Sequence, residues 1–99
     1  MKKLYVITRR DLPVNYRAVQ AGHGIGEYMK HYPDDWKNET LVYLEVANEY
    51  ILHHWARKLD NKGIKYTKFH EPDINNQLTA IATHNDGRIF RNLKLFSCN

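Results

Sequence analysis

The sequence predicts an α/β fold: one domain (1–99) built from a mixed four-stranded sheet with helices packed on it. Three observations carry this. Compact runs rich in β-branched and aromatic residues, such as "KLYVITR" at 3–9 and "TLVYLEVA" at 40–47, read as strands. Segments of helical period separate the first three such runs, as in β-α-β units with right-handed crossovers. The last two runs are joined by a short stretch without a helix (70–77), which suits antiparallel neighbours.

Taken in order, the 3–9 run is apolar between charges and therefore buried. From 14 to 31 the period is helical. Val14, Ala18, Ala21, Ile25 and Met29 form one stripe, the face expected to meet the sheet. "HYPDDWKNE" is a turn-rich connection to the second strand. Asn48 can cap a helix whose apolar face is Ile51, Leu52, Trp55, Ala56 and Leu59, and Gly63 suits its end. "IKYTKF" (64–69) is a more polar third strand, expected at an edge. "LTAIATH" (78–84) is apolar enough to be central, Asp86-Gly87 marks a turn, and 88–96 is compatible with a short helix or strand.

Composition bounds the function classes. At 99 residues with 42% hydrophobic and 26% charged, the chain can bury one modest core and is not of disordered composition. No apolar run approaches the roughly 18 residues of a membrane span. The opening "MKKLYVITRR" is too short in its apolar part for a secretory signal, which points to the cytoplasm. The single cysteine, Cys98, excludes a disulfide framework and a cysteine metal site. The six histidines show no H-E-x-x-H spacing, so neither metal nor cofactor is expected. A net charge of +4 permits an anionic partner, although the cations are dispersed. Twelve aromatics, including Trp36 in a loop, could furnish a homodimer interface.

Two stretches are dense in candidate chemistry. "RAVQAGHGIGEYM" (17–29) places three glycines in a helix, each costing about 1 kcal/mol relative to alanine. Gly22 and Gly26 flank the apolar stripe and would permit close approach to the sheet; Gly24 has no evident reason. "GHGIG" lacks the spacing of a phosphate-binding loop. Tyr16, Gln20, His23 and Glu27 form a stripe roughly opposite the apolar one, readable as a solvated face with a His23–Glu27 pair. A histidine suited to proton transfer is the alternative. In "HEPDINNQLT" (70–79), turn chemistry explains Pro72, Asp73 and one asparagine, whereas so many amides together also suit a site.

Together these stretches resemble the type-two peptidyl-tRNA hydrolases. The first match is a strand ending in R-x-D-L and then a helix with A-[AV]-Q-x-x-H, here Arg9, Asp11, Leu12, Ala18, Val19, Gln20 and His23. The second is an Asp-led polar loop before a T-[VA]-[LI]-[AG]-[IT] strand, here Asp73, Thr79, Ala80 and Ile81. The similarity spans about 3–84, with "LKLF" near the end as a further possible match. Tyr16 stands where the family has a lysine implicated in catalysis, both loops are shorter, and G-R-T-Q is absent.

The resemblance implies hydrolysis of the ester joining a peptide to the tRNA 3′ end. Asp73 would orient or deprotonate water. Gln20 and an asparagine amide would donate to the oxyanion, Thr79 would position them, and His23 would support. Arg9, Arg10 or Arg17 would meet phosphates. The alternative is a non-catalytic binder of a nucleotide or RNA end, using Tyr16 as a stacking platform with Asn75, Asn76 and the arginines.

Overall fold

The computed structural model describes residues 1–91. Cys98, the "LKLF" stretch and most of the 88–96 element lie outside the described residues. In chain order the elements are β1 (Lys3–Arg9), α1 (Val14–His31), β2 (Leu41–Val46), α2 (Glu49–Asn61), β3 (Thr67–Glu71) and β4 (Gln77–Asn85). Short 3-10 turns occupy Pro72–Ile74 and Arg88–Phe90. The sheet order is β2-β1-β4-β3, with β1 and β2 parallel and β4 antiparallel to both of its neighbours. The third strand is thus an edge and the fourth is central, as the polarity of the two runs predicts.

The layers follow from strand alternation. Tyr5, Ile7, Leu44 and Ile81 turn to one face and pack with Leu52, Trp55 and Leu59 of α2. Leu4, Val6 and Ala82 turn to the other face, with Tyr28 of α1. Asn48 caps α2, its side-chain oxygen accepting from the Ile51 N–H at 3.0 Å. Beyond α2, Gly63 takes φ +67° and the Ile64 N–H donates back to the Leu59 carbonyl at 3.0 Å. That tether explains why β3 begins at Thr67 rather than 64.

Three expectations are corrected. The most deeply buried face of α1 is Gln20, Gly24 and Tyr28; Ala21, Ile25 and Met29 of the expected stripe pack half-buried beside it, while Val14 at its head is 67% exposed. The close approach is made at Gly24, where a Cβ would lie 3.0 Å from Ala80 Cβ and 3.1 Å from Val6 Cγ2; at Gly22 and Gly26 it would meet nothing within 4 Å. Trp36 is buried, its indole N–H donating to the Thr40 carbonyl at 3.1 Å, and is not a free interface aromatic.

A β-bulge reshapes the start of β4. Phe69 pairs with Ala80 but His70 pairs with Leu78, so Thr79 is an extra residue. Side-chain parity slips there. Leu78 and Ile81 both join the α2-side core, while Ala80 meets Gly24 and Thr79 meets Gln20 on the α1 side.

Candidate functional site

The α1-facing side of the sheet carries a buried polar row at one end, with one side chain from each strand: Glu45, Thr8, Thr79 and Glu71. Buried polar groups of this kind need partners, and α1 supplies them. The Thr79 hydroxyl donates to Gln20 Oε1 at 2.6 Å, and Gln20 Nε2 donates to Glu71 Oε1 at 2.8 Å. The second carboxylate oxygen of Glu71 accepts from the Asp73 backbone N–H at 3.2 Å. Hydrogen bonds from Gln20 and then from the Asp73 N–H, with His23 nearby, hold the Glu71 carboxyl below its usual range despite burial.

On the β2 side, Thr8 Oγ1 lies 2.9 Å from the Tyr43 hydroxyl, which donates to Glu45. Burial first, and then the Glu45 hydrogen bond, push the Tyr43 phenol up to about 12. Arg17 closes the row, with Nη1 3.3 Å from Glu45 Oε1 and Nε donating to the Leu12 carbonyl at 2.7 Å.

Above the row lies an open cleft of about 560 Å³ between the β1–α1 loop and the β3–β4 turn, lined by Leu12, Pro13, Asn15, Tyr16, Asp73 and Ile74. Its volume is in the range of small-molecule sites. Asp73 is exposed at this cleft while its backbone is fixed to Glu71. Burial, and then the charges of Glu71 and Asp73, push the Tyr16 phenol up.

The structure therefore brings Gln20 and Thr79 together beneath the cleft, and Tyr16 and Asp73 into its lining. Gln20 is fully buried with both ends of its amide engaged, so it does not lie on a solvated face as its stripe suggests. His23 is exposed and stacks on Phe69 with centroids 4.5 Å apart; Glu27 pairs with His31 rather than with His23. Arg9 is buried. It grips Asp11 through two 2.9 Å hydrogen bonds and reaches Gln77 Oε1 and the Leu78 carbonyl with Nη1. That grip holds the Asp11 carboxyl below its usual range. Arg10 is exposed just past the end of β1. Asn75 and Asn76 are exposed with φ of 61° and 59°, so turn chemistry accounts for both.

Sequence reasoning missed Tyr43 and Glu45, and held Glu71 only as one member of the polar 70–79 cluster, without a role. Glu71 carried a readable signal: in "TKFHE" it alternates with Thr67 and Phe69, which puts it on the α1 face once the strand is extended to 71. Among the described residues, no group of three or more His, Cys, Asp or Glu side chains could hold a metal ion.

A single α/β domain with a mixed sheet, and a cleft between its β1–α1 loop and β3–β4 turn, is the class that fold and site define. No family model and no curated protein matches the chain. Among solved structures it is similar to Atu0240 of Agrobacterium tumefaciens strain C58, a protein of unknown function. The TM-score is 0.74 at 14% identity, over 95% of this chain and 96% of that one. The likeness extends to the fold. No described helix is long and apolar enough to cross a membrane.

Proposed function

We propose that the chain is a peptidyl-tRNA-hydrolase-like protein, acting in its cleft on an acyl group esterified to a tRNA 3′ end. The observation that carries this reading is the position of Asp73. Asp73 lines the cleft while the buried Thr79–Gln20–Glu71 chain holds its backbone N–H. Convergence supports it further. Residues that carry the type-two resemblance come from two stretches remote in sequence, yet Leu12 and Asp73 share the cleft, and Gln20 and Thr79, 59 positions apart, share a hydrogen bond.

In this reading Asp73 takes a proton from water as the water attacks the ester carbonyl carbon. Asn75 and Asn76, on the adjoining turn, offer amides to the developing oxyanion. Collapse of the intermediate breaks the C–O bond, and the ribose 3′-oxygen leaves with a proton. Gln20 acts through Glu71 as a positioning residue, because its burial keeps it from substrate. In this reading Arg10, exposed just past the end of β1, would meet phosphates.

A second reading, a non-catalytic binder of a nucleotide or RNA end, is favoured by Tyr16 at the position of the family lysine. Peptide release from peptidyl-tRNA by wild type, beside Asp73→Asn, separates the two. Turnover in wild type that is lost in the variant supports the hydrolase. Absence of turnover in wild type at high enzyme concentration favours the binder. Equal turnover in both proteins removes Asp73 from the chemistry.

A further inference from the structure

Cations scattered along the sequence gather at one end of the fold. The cleft lies past Arg9, beyond the point where Thr8 faces Ala80. At the other end, where Lys3 faces Asn85, the chain leaves β4 through a turn flanked by two grooves. One, of about 420 Å³, is lined by Lys2, Lys62 and Arg88 with Ile64, Ile89, Asn85 and Asp86. The other, of about 370 Å³, is lined by Lys3 and Arg91 with Gly87 and the apolar Tyr5, Val42, Leu44 and Phe90. Asp86 is the acid in these linings, and it is answered: its Oδ2 lies 3.3 Å from Arg88 Nε. The Asn85 side chain is engaged in the turn, accepting from the Gly87 N–H at 2.7 Å. Lys2, Lys3, Lys62 and Arg91 enter none of the ion pairs among the described residues. With histidines neutral, five cations against one acid is a surplus of four, the whole net charge of the chain. The remaining ten Lys and Arg and ten Asp and Glu cancel.

We propose that the two grooves form a binding surface for an RNA backbone. Cations without acids opposite them repel one another, and a bound chain of phosphates relieves that repulsion. Lys2, Lys62 and Arg88 take phosphates on one flank of the turn, and Lys3 and Arg91 on the other. The apolar residues beside them suit the sugars and bases that alternate with phosphates along the chain. Cations spread over two grooves match an extended polyanion better than a compact polyphosphate, which one groove would satisfy. Concave linings likewise favour a chain over the flat surface of an anionic membrane. The proposal goes beyond the ester reading and uses none of the cleft residues.

The test is fluorescence anisotropy of an end-labelled oligo-uridine of about twelve nucleotides, titrated with the whole protein at several salt concentrations. Binding is expected to saturate and to weaken as salt rises, with a log–log slope of about −3 for about four phosphate contacts. The triple variant Lys2→Gln, Lys62→Gln, Arg88→Gln should bind about tenfold or more weakly, with a slope shallower by about 2. All three side chains are exposed, so the fold is kept. A control variant, Lys30→Gln, Lys37→Gln, Lys68→Gln, removes the same charge outside both grooves and should weaken binding less than about threefold. The proposal is overturned by the absence of saturable binding, by a groove variant that binds as wild type does, or by a control variant that loses as much. Inorganic triphosphate or phosphatidylserine vesicles that displace the RNA at equal phosphate concentration overturn it equally. None of these outcomes involves turnover or Asp73, so the hydrolase reading stands or fails separately in the peptide-release assay.

Discussion

At the residue scale, Gly24 sets how closely α1 can lie on the sheet. A Cβ there would press on Ala80 Cβ, which is fixed to its strand, and on a methyl of β-branched Val6. Gly24→Ala is therefore expected to lower stability by about 1–2 kcal/mol, because overpacking outweighs the gain in helix propensity. Gly22→Ala and Gly26→Ala meet open space and should each raise stability, by up to about 1 kcal/mol. Urea melts of the three variants check both signs at once. Thr79→Val keeps the shape of the bulged residue but removes the donor to Gln20 Oε1. The orphaned buried acceptor should cost about 1–3 kcal/mol in the same assay.

At the element scale, the boundaries of β1 and α1 were legible from composition and period alone, and the Asn48 cap from residue type. Asn48→Ala should cost about 1 kcal/mol, read as a lower melting temperature. The orientation of α1 was not legible. Its inward face holds Gln20 and Gly24, which hydropathy counts as outward residues, because the sheet beneath is polar at one end and must be approached closely. Nor was the bulge at Thr79, since a register step depends on the partner strand. The same blindness hid Glu71. Ending the third strand at Phe69 left that carboxylate in a loop, when its neighbours in space are Gln20 and Thr79, far away in sequence. Tyr16 and Asp73 were singled out from the sequence, although their shared lining of one cleft could come only from the fold.

At the scale of the whole molecule, the carboxylates tie together segments that are remote in sequence. Asp35 accepts from Tyr28 and pairs with Lys65, each at 2.7 Å, pinning the segment after α1 to the chain ahead of β3. Hydrogen bonds from Lys65 and then Tyr28 hold its carboxyl below the usual range, as Arg9 does for Asp11 and Gln20 for Glu71. Each lowered group binds its proton less readily folded than unfolded. Their stabilisation is present above the unfolded values near pH 4 and is lost as the pH falls below them. Thermal melts between pH 6 and pH 3 should show a falling melting temperature, and the gap between wild type and Glu71→Gln should narrow towards the acid end.

The strand order has a consequence for how the chain is made. Lys3 lies opposite Asn85, and Thr8 opposite Ala80, so β1 waits for β4, the last described strand, before its second edge is covered. β3 is hydrogen-bonded to the sheet only through β4. A nascent chain that has emerged as far as α2 thus holds a parallel pair with an open flank, and it cannot close the sheet until β4 leaves the ribosome. Placing the antiparallel strand in the middle makes folding a late event rather than a stepwise one. The slow, non-local pairing of β1 with β4 should set its rate.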